Sequence, residues 1–257
     1  MKIVYGPVHS WRLGHSLGID MISTGKKVCS YDCVYCQLGR TVEHTVERRE
    51  FVTLQRLREE LEAALNEVKP DVITFSGTGE PTIASNITDA VNLVREVTKI
   101  PIAILTNSYQ INDSDVRRAL LSMDIVVAKL DAPNQTLFEI INRPVPNITL
   151  KELVEGIKSF KKKFKGKLSL QMMFIEDNKN HAQEMAKIAE YIDPDEVQLN
   201  TPLRKNIKRP LMPDDMERIK KYFNKLHAIS VYDAREEDVK ALDIGEVEYR
   251  RPGSISK

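Results

Sequence analysis

The stretch Cys29-Ser-Tyr-Asp-Cys33-Val-Tyr-Cys36 contains all three cysteines of the 257-residue chain. Thiolates at such close spacing are typical ligands of zinc or of an iron–sulfur cluster. An odd number of cysteines, in a sequence without a recognisable export signal, argues against a disulfide framework. The stretch therefore predicts a metal-binding loop, and the segments around it indicate the fold that carries this loop.

On both sides of the loop, short runs of β-branched residues alternate with segments of helical periodicity. This alternation is typical of parallel strands joined by crossover helices. The predicted strands are Gly18–Ile22, Asp71–Phe75, Ile102–Leu105, Ile125–Leu130, Leu168–Phe174 and Glu196–Leu199. About six βα units are fewer than the eight of a closed barrel. The sequence therefore predicts an α/β fold, a partial (β/α)6 TIM-like barrel with parallel strands, whose site lies at the carboxyl ends of those strands.

No linker or repeat marks a domain boundary, so a single domain is expected over 1–257. It divides into a leader at 1–16, a barrel core at about 17–203 and a C-terminal extension at about 204–257. Lys and Arg number 38 against 37 Asp and Glu, so no overall field indicates a nucleic-acid or membrane partner. We expect a cytoplasmic protein, because no stretch has the length of a secretory signal or a membrane span.

Three cysteines leave a metal centre one protein ligand short. A closed zinc site would need a histidine as its fourth ligand, and His44 is the nearest downstream. Three thiolates alone suit a cubane cluster with one iron open to a small molecule. These residues leave two hypotheses open, a cluster-bearing enzyme and a zinc-stabilised protein that binds RNA through its lysine runs. An electron carrier is disfavoured, since carriers normally fill all four cluster positions with protein ligands.

The spacing of Cys29, Cys33 and Cys36, with Tyr35 before the last cysteine, resembles the motif of the radical S-adenosylmethionine (radical SAM) superfamily. Residues 5–14, YGPVHSWRLG, are similar to a poorly characterised archaeal and bacterial group of Fe–S oxidoreductases within it. The resemblance implies that the cysteines bind a [4Fe-4S] cluster and that Tyr35 lies near the adenine of S-adenosyl-L-methionine. It further implies reductive cleavage of that cofactor to a 5′-deoxyadenosyl radical, which abstracts hydrogen from a substrate.

Residues 74–81, TFSGTGEP, lie at the end of the second predicted strand. Their two glycines permit a sharp turn whose exposed carbonyl oxygens can hold a cationic amino group. In the resemblance, Gly77, Thr78, Gly79 and Glu80 look like the superfamily's GGE element, which contacts the methionine amino group of the cofactor. The alternative is an ordinary turn from a strand into a helix.

Polar residues at other strand ends are further candidates for cofactor binding. Asn107 and Ser108 carry an amide and a hydroxyl suited to ribose, and they resemble the ribose contacts of the family. They can equally serve as simple caps. Gln171 lies on the fifth predicted strand, and Gln198 and Asn200 share one face of the sixth. Their amides are candidate contacts to the cofactor or the substrate.

Lys129 and Asp131 are the candidate catalytic residues, because both charged side chains fall on one face of the fourth predicted strand. Charges inside a barrel are costly unless they are paired or bind a ligand. The alternative is a structural ion pair at the barrel rim. His9 and His15 are predicted either to lie over the cluster or to be structural.

Two basic segments are possible anion contacts. Arg204, followed by Lys205, Lys208 and Arg209, leaves the predicted barrel at its active-site end and is a candidate contact to an anionic substrate. The run Lys158–Lys167 contains six lysines and is better explained as the solvated face and C-terminal end of a helix.

The resemblance leaves the substrate open among an RNA, a cofactor precursor and a partner protein that receives a glycyl radical. It also implies an electron donor such as ferredoxin or flavodoxin. Because the chain has no further cysteines, auxiliary clusters are not expected, and simple hydrogen abstraction is favoured. In similar sequences a motif like residues 250–255, RRPGSI, leads into a winged-helix-like module, which is not expected here.

Overall fold

The computed structural model describes residues 1–204, 208–233 and 239–253, and within them eight strands form one sheet. The strands are β1 (Val4–Ser10), β2 (Gly14–Ile19), β3 (Val28–Cys29), β4 (Glu43–His44), β5 (Val72–Phe75), β6 (Ile102–Thr106), β7 (Ile125–Lys129), β8 (Lys167–Met173), β9 (Glu196–Asn200) and β10 (Ala228–Ser230). The helices are α1 (Leu54–Glu67), α2 (Ile87–Val97), α3 (Ser114–Leu121), α4 (Gln135–Ile141), α5 (Leu150–Lys161), α6 (Ala182–Ile192), α7 (Pro213–Lys220) and α8 (Ile244–Arg250). Short 3-10 helices span Pro81–Ile83, Lys179–His181 and Lys221–Phe223. Of the residues considered in the sequence, Lys205, Ser254 and Ile255 lie outside the described part.

The large sheet is a curled, mostly parallel half-barrel with strand order β1-β2-β5-β6-β7-β8-β9-β10. β2 and all strands from β5 to β10 run parallel, whereas β1 pairs antiparallel with β2. β3 and β4 form a separate two-stranded ribbon beside it. This architecture confirms the predicted partial TIM-like barrel.

Five of the six predicted strands agree with the structure to within one residue at each end. The first does not, because the strand predicted at Gly18–Ile22 spans Gly14–Ile19 instead. The cause is Asp20, whose Oδ1 accepts hydrogen bonds from the backbone N–H groups of Ile22 and Ser23, both at 3.1 Å. A local side-chain turn of this kind ends the strand before its apolar run is complete.

The sheet extends beyond the predicted barrel core on both sides. In the predicted leader, Val4 and Tyr5 are buried and β1 pairs along β2. Pro7 is tolerated in β1, because this is an edge strand with a register shift between Tyr5 and Val8, where a missing N–H costs no ladder hydrogen bond. β10 adds a three-residue strand in the predicted C-terminal extension. The single domain over 1–257 stays a prediction.

Helices cover the outer face of the sheet and provide the main apolar core. Leu57 and Leu61 of α1 are fully buried and belong to the same core cluster as Leu17 and Ile19 of β2. α5 begins with a capping box in which Thr149 and Glu152 bond reciprocally. The lysines at positions 162, 163 and 165 after this helix are exposed, as a solvated face requires. No helix in the described ranges is long and apolar enough to cross a lipid bilayer.

Candidate functional site

The three cysteines follow β2 in the chain: Cys29 ends β3, and Cys33 and Cys36 lie in the loop between β3 and β4. All three are free and partly buried. One side of the loop is held by β5: Val28 N–H donates to the Thr78 carbonyl at 3.2 Å, and Glu80 N–H donates to the Val28 carbonyl at 3.0 Å. The other side is held at the end of α4, where Val34 N–H donates to the Ile141 carbonyl at 2.9 Å. Backbone contacts thus fix the cysteine loop between the carboxyl end of β5 and the end of α4.

The close approach of this loop depends on the two glycines of the TFSGTGEP segment. A Cβ atom at Gly79 would lie 1.7 Å from the Val28 carbonyl oxygen, so only glycine fits there. Gly77 has a φ of +155°, and a Cβ at this position would lie 2.2 Å from Cγ of Asp20. The segment is therefore packed directly against the loop through its backbone, and both glycines are required by the geometry.

The carboxylate of Glu80 accepts hydrogen bonds from groups of the protein itself. Its carboxylate is 2% exposed and accepts hydrogen bonds from the Thr82 hydroxyl at 2.7 Å, the Thr106 hydroxyl at 2.7 Å and the Asn107 N–H at 2.7 Å. Burial raises the pKa of Glu80, although these hydrogen bonds oppose the shift. The carboxylate thus ties the end of β5 to the end of β6 and sets the position of Asn107.

Asn107 and Ser108 differ in whether their side-chain polar atoms already have hydrogen-bond partners among the described residues. Asn107 Nδ2 donates to Ser30 Oγ at 2.8 Å and lies 3.6 Å from Cys29 Sγ, while its Oδ1 accepts from Tyr109 N–H at 3.0 Å. Ser108 has a φ of +66°, and its buried hydroxyl has no hydrogen-bond partner among the described residues. Asn107 therefore orients the cysteine loop, and Ser108 Oγ is the group of this pair that is open to a ligand.

Asp131 is the centre of a buried network that reaches the second cysteine. Its Oδ2 accepts hydrogen bonds from the Tyr35 hydroxyl and from Asn142 Nδ2, the latter at 2.7 Å. Its Oδ1 accepts from Met173 N–H at 2.8 Å. Asn142 Nδ2 also lies 3.4 Å from Cys33 Sγ. Sequence reasoning missed Asn142, because an Asn that follows a helix indicates only a C-cap.

Lys129 lies beside this network and faces the site. Its Nζ is 3.7 Å from Asp131 Oδ1 and 3.4 Å from Gln171 Oε1, and it lies 4.9 Å from the centre of the Tyr35 ring. Both hypotheses for the pair are thus compatible with the geometry, since the ion pair forms within the wall of the site. Asp131 is saturated by protein partners, whereas Lys129 remains partly exposed.

Gln198 and Asn200, the two candidate contact residues of β9, differ in their exposure and in their hydrogen bonds. Gln198 is fully buried; its Nε2 donates to Glu196 Oε1 at 2.8 Å, and its Oε1 has no partner in the described part of the chain. Asn200 Oδ1 accepts from the Thr201 N–H at 2.9 Å and is partly exposed. Gln198 Oε1 and Ser108 Oγ are therefore two buried polar atoms that lack a partner at positions predicted to bind cofactor.

Lys27, a residue that no motif of the sequence singles out, adds a buried positive charge beside the cysteine loop. Its side chain is almost fully buried, and its Nζ donates to the Gly39 carbonyl at 2.9 Å. Burial lowers the pKa of Lys27, but the thiolate charges of Cys36, Cys29 and Cys33 outweigh this and raise it. Lys27 is placed to compensate negative charge at the cysteine loop.

The chemistry of the thiols fits a metal cluster. Burial raises the pKa of Cys33 to about 11 and that of Cys29 further, so both would be neutral at pH 7 without a metal. Metal ligation keeps such thiols deprotonated. The described residues include no group of three His, Cys, Asp or Glu side chains placed to hold one metal ion. His44 is the residue that a closed zinc site would need as its fourth ligand, and its Nε2 lies 3.1 Å from the Ser30 carbonyl oxygen. In a cubane cluster each thiolate binds its own iron, and the three partly buried thiols lie within one eight-residue stretch.

The remaining predicted residues lie elsewhere. His9 and His15 pair across β1 and β2 with ring centres 6.4 Å apart, toward the amino end of β2 and away from the cysteine loop. Near that loop, a cavity of about 170 Å³ is lined by Lys27, Gln37 and Thr78 together with Tyr249 and Pro252 at the end of α8. The C-terminal helix therefore borders the site.

Comparison with known proteins agrees with this geometry. Residues 26–189 match the family model described as the Radical SAM superfamily. The chain is 40% identical over 227 residues to a UPF0026 protein of Methanocaldococcus jannaschii. The matched region covers 86% of this chain and 70% of that protein. It is also 40% identical over 211 residues to a UPF0026 protein of Synechocystis, covering 81% and 78% of the two chains.

Among solved structures, the fold is similar to SuiB of Streptococcus suis bound to S-adenosylmethionine. The TM-score is 0.61 at 16% sequence identity, over 80% of this chain and 48% of that one. At this identity the likeness shows a shared fold. The chain spans about half the length of that structure.

Proposed function

Because the chain belongs to the radical SAM superfamily, a class of S-adenosylmethionine-cleaving enzymes, we propose that Cys29, Cys33 and Cys36 bind a [4Fe-4S] cluster for that reaction. One observation carries the proposal: three free, partly buried thiols lie in a loop that is fixed against a glycine-rich strand end. When bound, the cluster supplies the electron that splits S-adenosyl-L-methionine into methionine and a 5′-deoxyadenosyl radical, which takes hydrogen from the substrate.

The cofactor would be held by the groups that surround the loop. Tyr35 would pack against the adenine, and the backbone carbonyls of Gly77–Gly79 would accept hydrogen bonds from the methionine amino group. Ser108 Oγ and Gln198 Oε1, which have no hydrogen-bond partner among the described residues, are the proposed contacts to the ribose and to a polar end of the cofactor. A site with unsatisfied buried polar groups favours a ligand that completes their hydrogen bonds.

Several other predicted residues would act by positioning. Glu80 would fix the ends of β5 and β6, and Asn107 would orient Cys29. Asp131 would hold Tyr35 and, through Asn142, the side of the loop that carries Cys33. Because their hydrogen bonds are made within the protein, their loss should disturb geometry more than ligand contacts.

Lys129, Gln171 and Asn200 are the proposed contacts to the substrate. Each is partly exposed at the end of a neighbouring strand, and Lys129 Nζ is 3.4 Å from Gln171 Oε1. An ammonium group beside an amide can bind an anionic or carbonyl oxygen and can hold a proton close to the reacting atoms. We propose an oxidoreductase or activase whose substrate is an RNA, a cofactor precursor or a partner protein, with ferredoxin or flavodoxin as electron donor in the cytoplasm.

The test is anaerobic reconstitution with iron and sulfide, reduction with dithionite in the presence of S-adenosyl-L-methionine, and chromatography for 5′-deoxyadenosine and methionine. Both products should form only with the reconstituted protein. Cys33→Ala should lose turnover, whereas Val42→Ala, an exposed change in the same loop, should keep it. A wild-type protein that stays colourless, binds one zinc and forms neither product would contradict the proposal, as would full turnover by Cys33→Ala.

A further inference from the structure

The segment that follows the last cysteine forms an exposed edge of the candidate site. Gly39 N–H donates to the Cys36 carbonyl at 3.0 Å, and Lys27 Nζ donates to the Gly39 carbonyl at 2.9 Å. Two residues further along, Val42 begins a return to the same lysine, since its N–H donates to the Lys27 carbonyl at 3.1 Å. The segment is therefore fixed beside Cys36, and Arg40 and Val42 within it are exposed.

Two cations share one carboxylate next to this segment. Asp32 Oδ1 accepts a hydrogen bond from Thr41 N–H at 2.7 Å and lies 3.9 Å from Lys27 Nζ. Asp32 Oδ2 lies 3.8 Å from Nη1 of Arg143, whose side chain is about half exposed. The single negative charge of Asp32 cannot neutralise both cations, so a net positive charge remains around it.

Two further cations belong to the same edge. Lys26, which precedes Lys27, and Arg40 are both exposed. A second carboxylate, that of Glu43, is already paired with Arg49 at 2.6 Å. Because the whole chain has 38 basic and 37 acidic residues, this surface is a local concentration of positive charge in a nearly neutral protein. We define the basic edge as Lys26, Lys27, Arg40 and Arg143.

Gln37 joins the same end of the cysteine loop to the C-terminal helix. Its Nε2 donates to the Arg250 carbonyl at 2.7 Å, and its Oε1 accepts from Arg204 Nη1 at 2.7 Å. The end of α8 therefore lies next to the basic edge. Together they border the cavity of about 170 Å³ that Lys27 and Gln37 line.

Exposed apolar side chains accompany these charges. Val42 is 66% exposed, and Tyr249 at the end of α8 is 45% exposed. Tyr249 and Pro252 line the cavity on one side and Leu38 lines it on another. Apolar and aromatic groups beside cations are typical of a surface that binds a protein, whereas a nucleic-acid backbone is bound chiefly by cations.

We propose that the basic edge is the docking surface of the electron donor, and that this donor is a protein with an acidic face around its redox centre. The inference rests on the proposed function, which requires one electron at the cysteine loop. In this step the donor is oxidised by one electron and the cluster is reduced by one electron, and no bond forms or breaks. Complexes for electron transfer have small interfaces and are steered by charge, so a few cations suffice.

The position of the basic edge favours the donor over the substrate as its partner. The edge is fixed to the Cys36 end of the loop, where a docked protein would lie close to the cluster. The proposed substrate contacts, Lys129, Gln171 and Asn200, lie instead on β7, β8 and β9. A donor on the basic edge therefore leaves these strand ends open to the substrate.

Binding of an acidic flavodoxin and of an acidic ferredoxin to the reconstituted, oxidised protein tests this surface apart from turnover. The Kd, measured by anaerobic isothermal titration calorimetry, should rise steeply with ionic strength. Lys26→Glu/Arg40→Glu should raise the Kd by about tenfold or more at low ionic strength, because two attractive charges become repulsive. Reduction of the cluster by flavodoxin hydroquinone, followed by absorbance in a stopped-flow instrument, should slow by a similar factor at donor concentrations below the Kd. Formation of 5′-deoxyadenosine with dithionite should persist, since this small reductant needs no docking surface.

The matched control is Lys163→Glu/Lys165→Glu, which makes the same change in net charge. Both lysines are exposed and lie just before β8, at the opposite end of the parallel strands from the cysteine loop. This variant should change the Kd by less than about twofold, because charges far from an interface are screened. Equal losses in the two double variants would overturn the proposal, as would a wild-type protein that binds neither probe or binds both independently of salt.

Two more outcomes separate this inference from its alternatives. A short RNA oligonucleotide that binds more tightly than either probe, and loses affinity in Lys26→Glu/Arg40→Glu, would assign the edge to RNA and overturn the proposal. If dithionite gives 5′-deoxyadenosine but the same variant accepts electrons from flavodoxin as fast as the wild type, only this inference fails. If the wild type binds flavodoxin at the basic edge yet forms no 5′-deoxyadenosine with any reductant, the proposed function fails while the docking surface for an acidic protein stands.

Discussion

Arg250 and Asp20 form an ion pair that is buried at both ends, with Nε 2.9 Å from Oδ2 and each side chain 1% exposed. The two residues are 230 positions apart in the chain. The same Oδ2 of Asp20 accepts a hydrogen bond from the Thr78 hydroxyl at 2.9 Å. One carboxylate therefore joins the C-terminal helix α8 to the glycine-rich strand end of the candidate site.

Removal of either partner should destabilise the protein strongly. Burial lowers the pKa of Arg250, but Asp20 and Glu246 outweigh this and raise it, so the arginine is held charged. Asp20→Ala would leave that charge buried without its main partner, at a cost of about 3–5 kcal/mol. Urea unfolding followed by circular dichroism measures this loss, and limited proteolysis should show release of the C-terminal helix.

The exposed pair of Arg118 and Asp115, 3.2 Å apart on α3, provides the control. Arg118→Ala should cost less than about 1 kcal/mol, because exposed ion pairs contribute little. Equal losses for Asp20→Ala and Arg118→Ala would show that the buried pair has no special role.

The features that were predictable from the sequence are local. The cysteine spacing occupies one short segment, and each strand or helix is indicated by its own short run of residues, so the loop and the barrel could be predicted. The pair of Arg250 and Asp20, and the contact of Asn142 with Cys33, join segments far apart in the chain. Only the folded barrel brings these residues together, and their residue types alone indicate caps or surface charges.

Residue type also fails to distinguish a ligand contact from a protein contact. Glu80 and Asn107 have the chemistry of cofactor contacts, yet the structure uses their polar atoms to fix strand ends and the cysteine loop. Ser108 is predicted on the same grounds, and its hydroxyl has no hydrogen-bond partner within the part of the chain that the structure describes. The difference depends on the positive φ of Ser108 and on the turn around Glu80, which the sequence does not specify.

Asn142 should tune the proposed cluster through its hydrogen bond to Cys33 Sγ at 3.4 Å. An amide donor to sulfur favours the more negative, reduced cluster, so Asn142→Leu should lower the reduction potential. A hydrogen bond of about 0.5–1.5 kcal/mol corresponds to a shift of roughly 20–60 mV for one electron. Redox titration monitored by electron paramagnetic resonance measures the midpoint.

The matched control is Asn86→Leu, which removes another buried amide, one that donates to the Val52 carbonyl at 2.8 Å. This variant should lose stability without changing the midpoint. An unchanged midpoint in Asn142→Leu, with the cluster fully loaded, would argue that its contact with Cys33 has no electrostatic effect.

Lys27 should stabilise the reduced cluster by its charge. Its ammonium group lies beside the thiols, and their charges raise its pKa against the effect of burial. Lys27→Met keeps the length of the side chain but removes the charge. At an effective dielectric constant of about 20 the loss is about 2 kcal/mol, or roughly 90 mV toward more negative potential. The same redox titration and the iron content after reconstitution measure the effect.

Lys167→Met serves as the comparison, because Lys167 pairs with Glu196 at 2.8 Å and lies at the start of β8. It should leave both the potential and the iron content unchanged. If Lys27→Met and Lys167→Met shift the potential equally, the effect belongs to net charge and not to the position of Lys27.

Glu196 should make the stability of the barrel sensitive to acid. Burial raises its pKa, but hydrogen bonds from Gln198 and Lys167, both 2.8 Å long, outweigh this and lower it below its ordinary value of 4.5. For an acid whose folded-state pKa is lowered, the stabilisation is present above pH 4.5 and is lost as the pH falls through the folded value. Glu196→Gln should therefore lower the free energy of unfolding by about 1–2 kcal/mol at pH 7 and by progressively less below pH 4.5.

Urea unfolding of the wild type and of Glu196→Gln across this pH range measures the difference in free energy of unfolding. Lys167→Met should reduce the pH dependence of that difference, because one partner of Glu196 is gone. A difference that stays constant with pH would mean that Glu196 acts through its shape and not its charge, and that Gln198 is oriented without the help of a carboxylate.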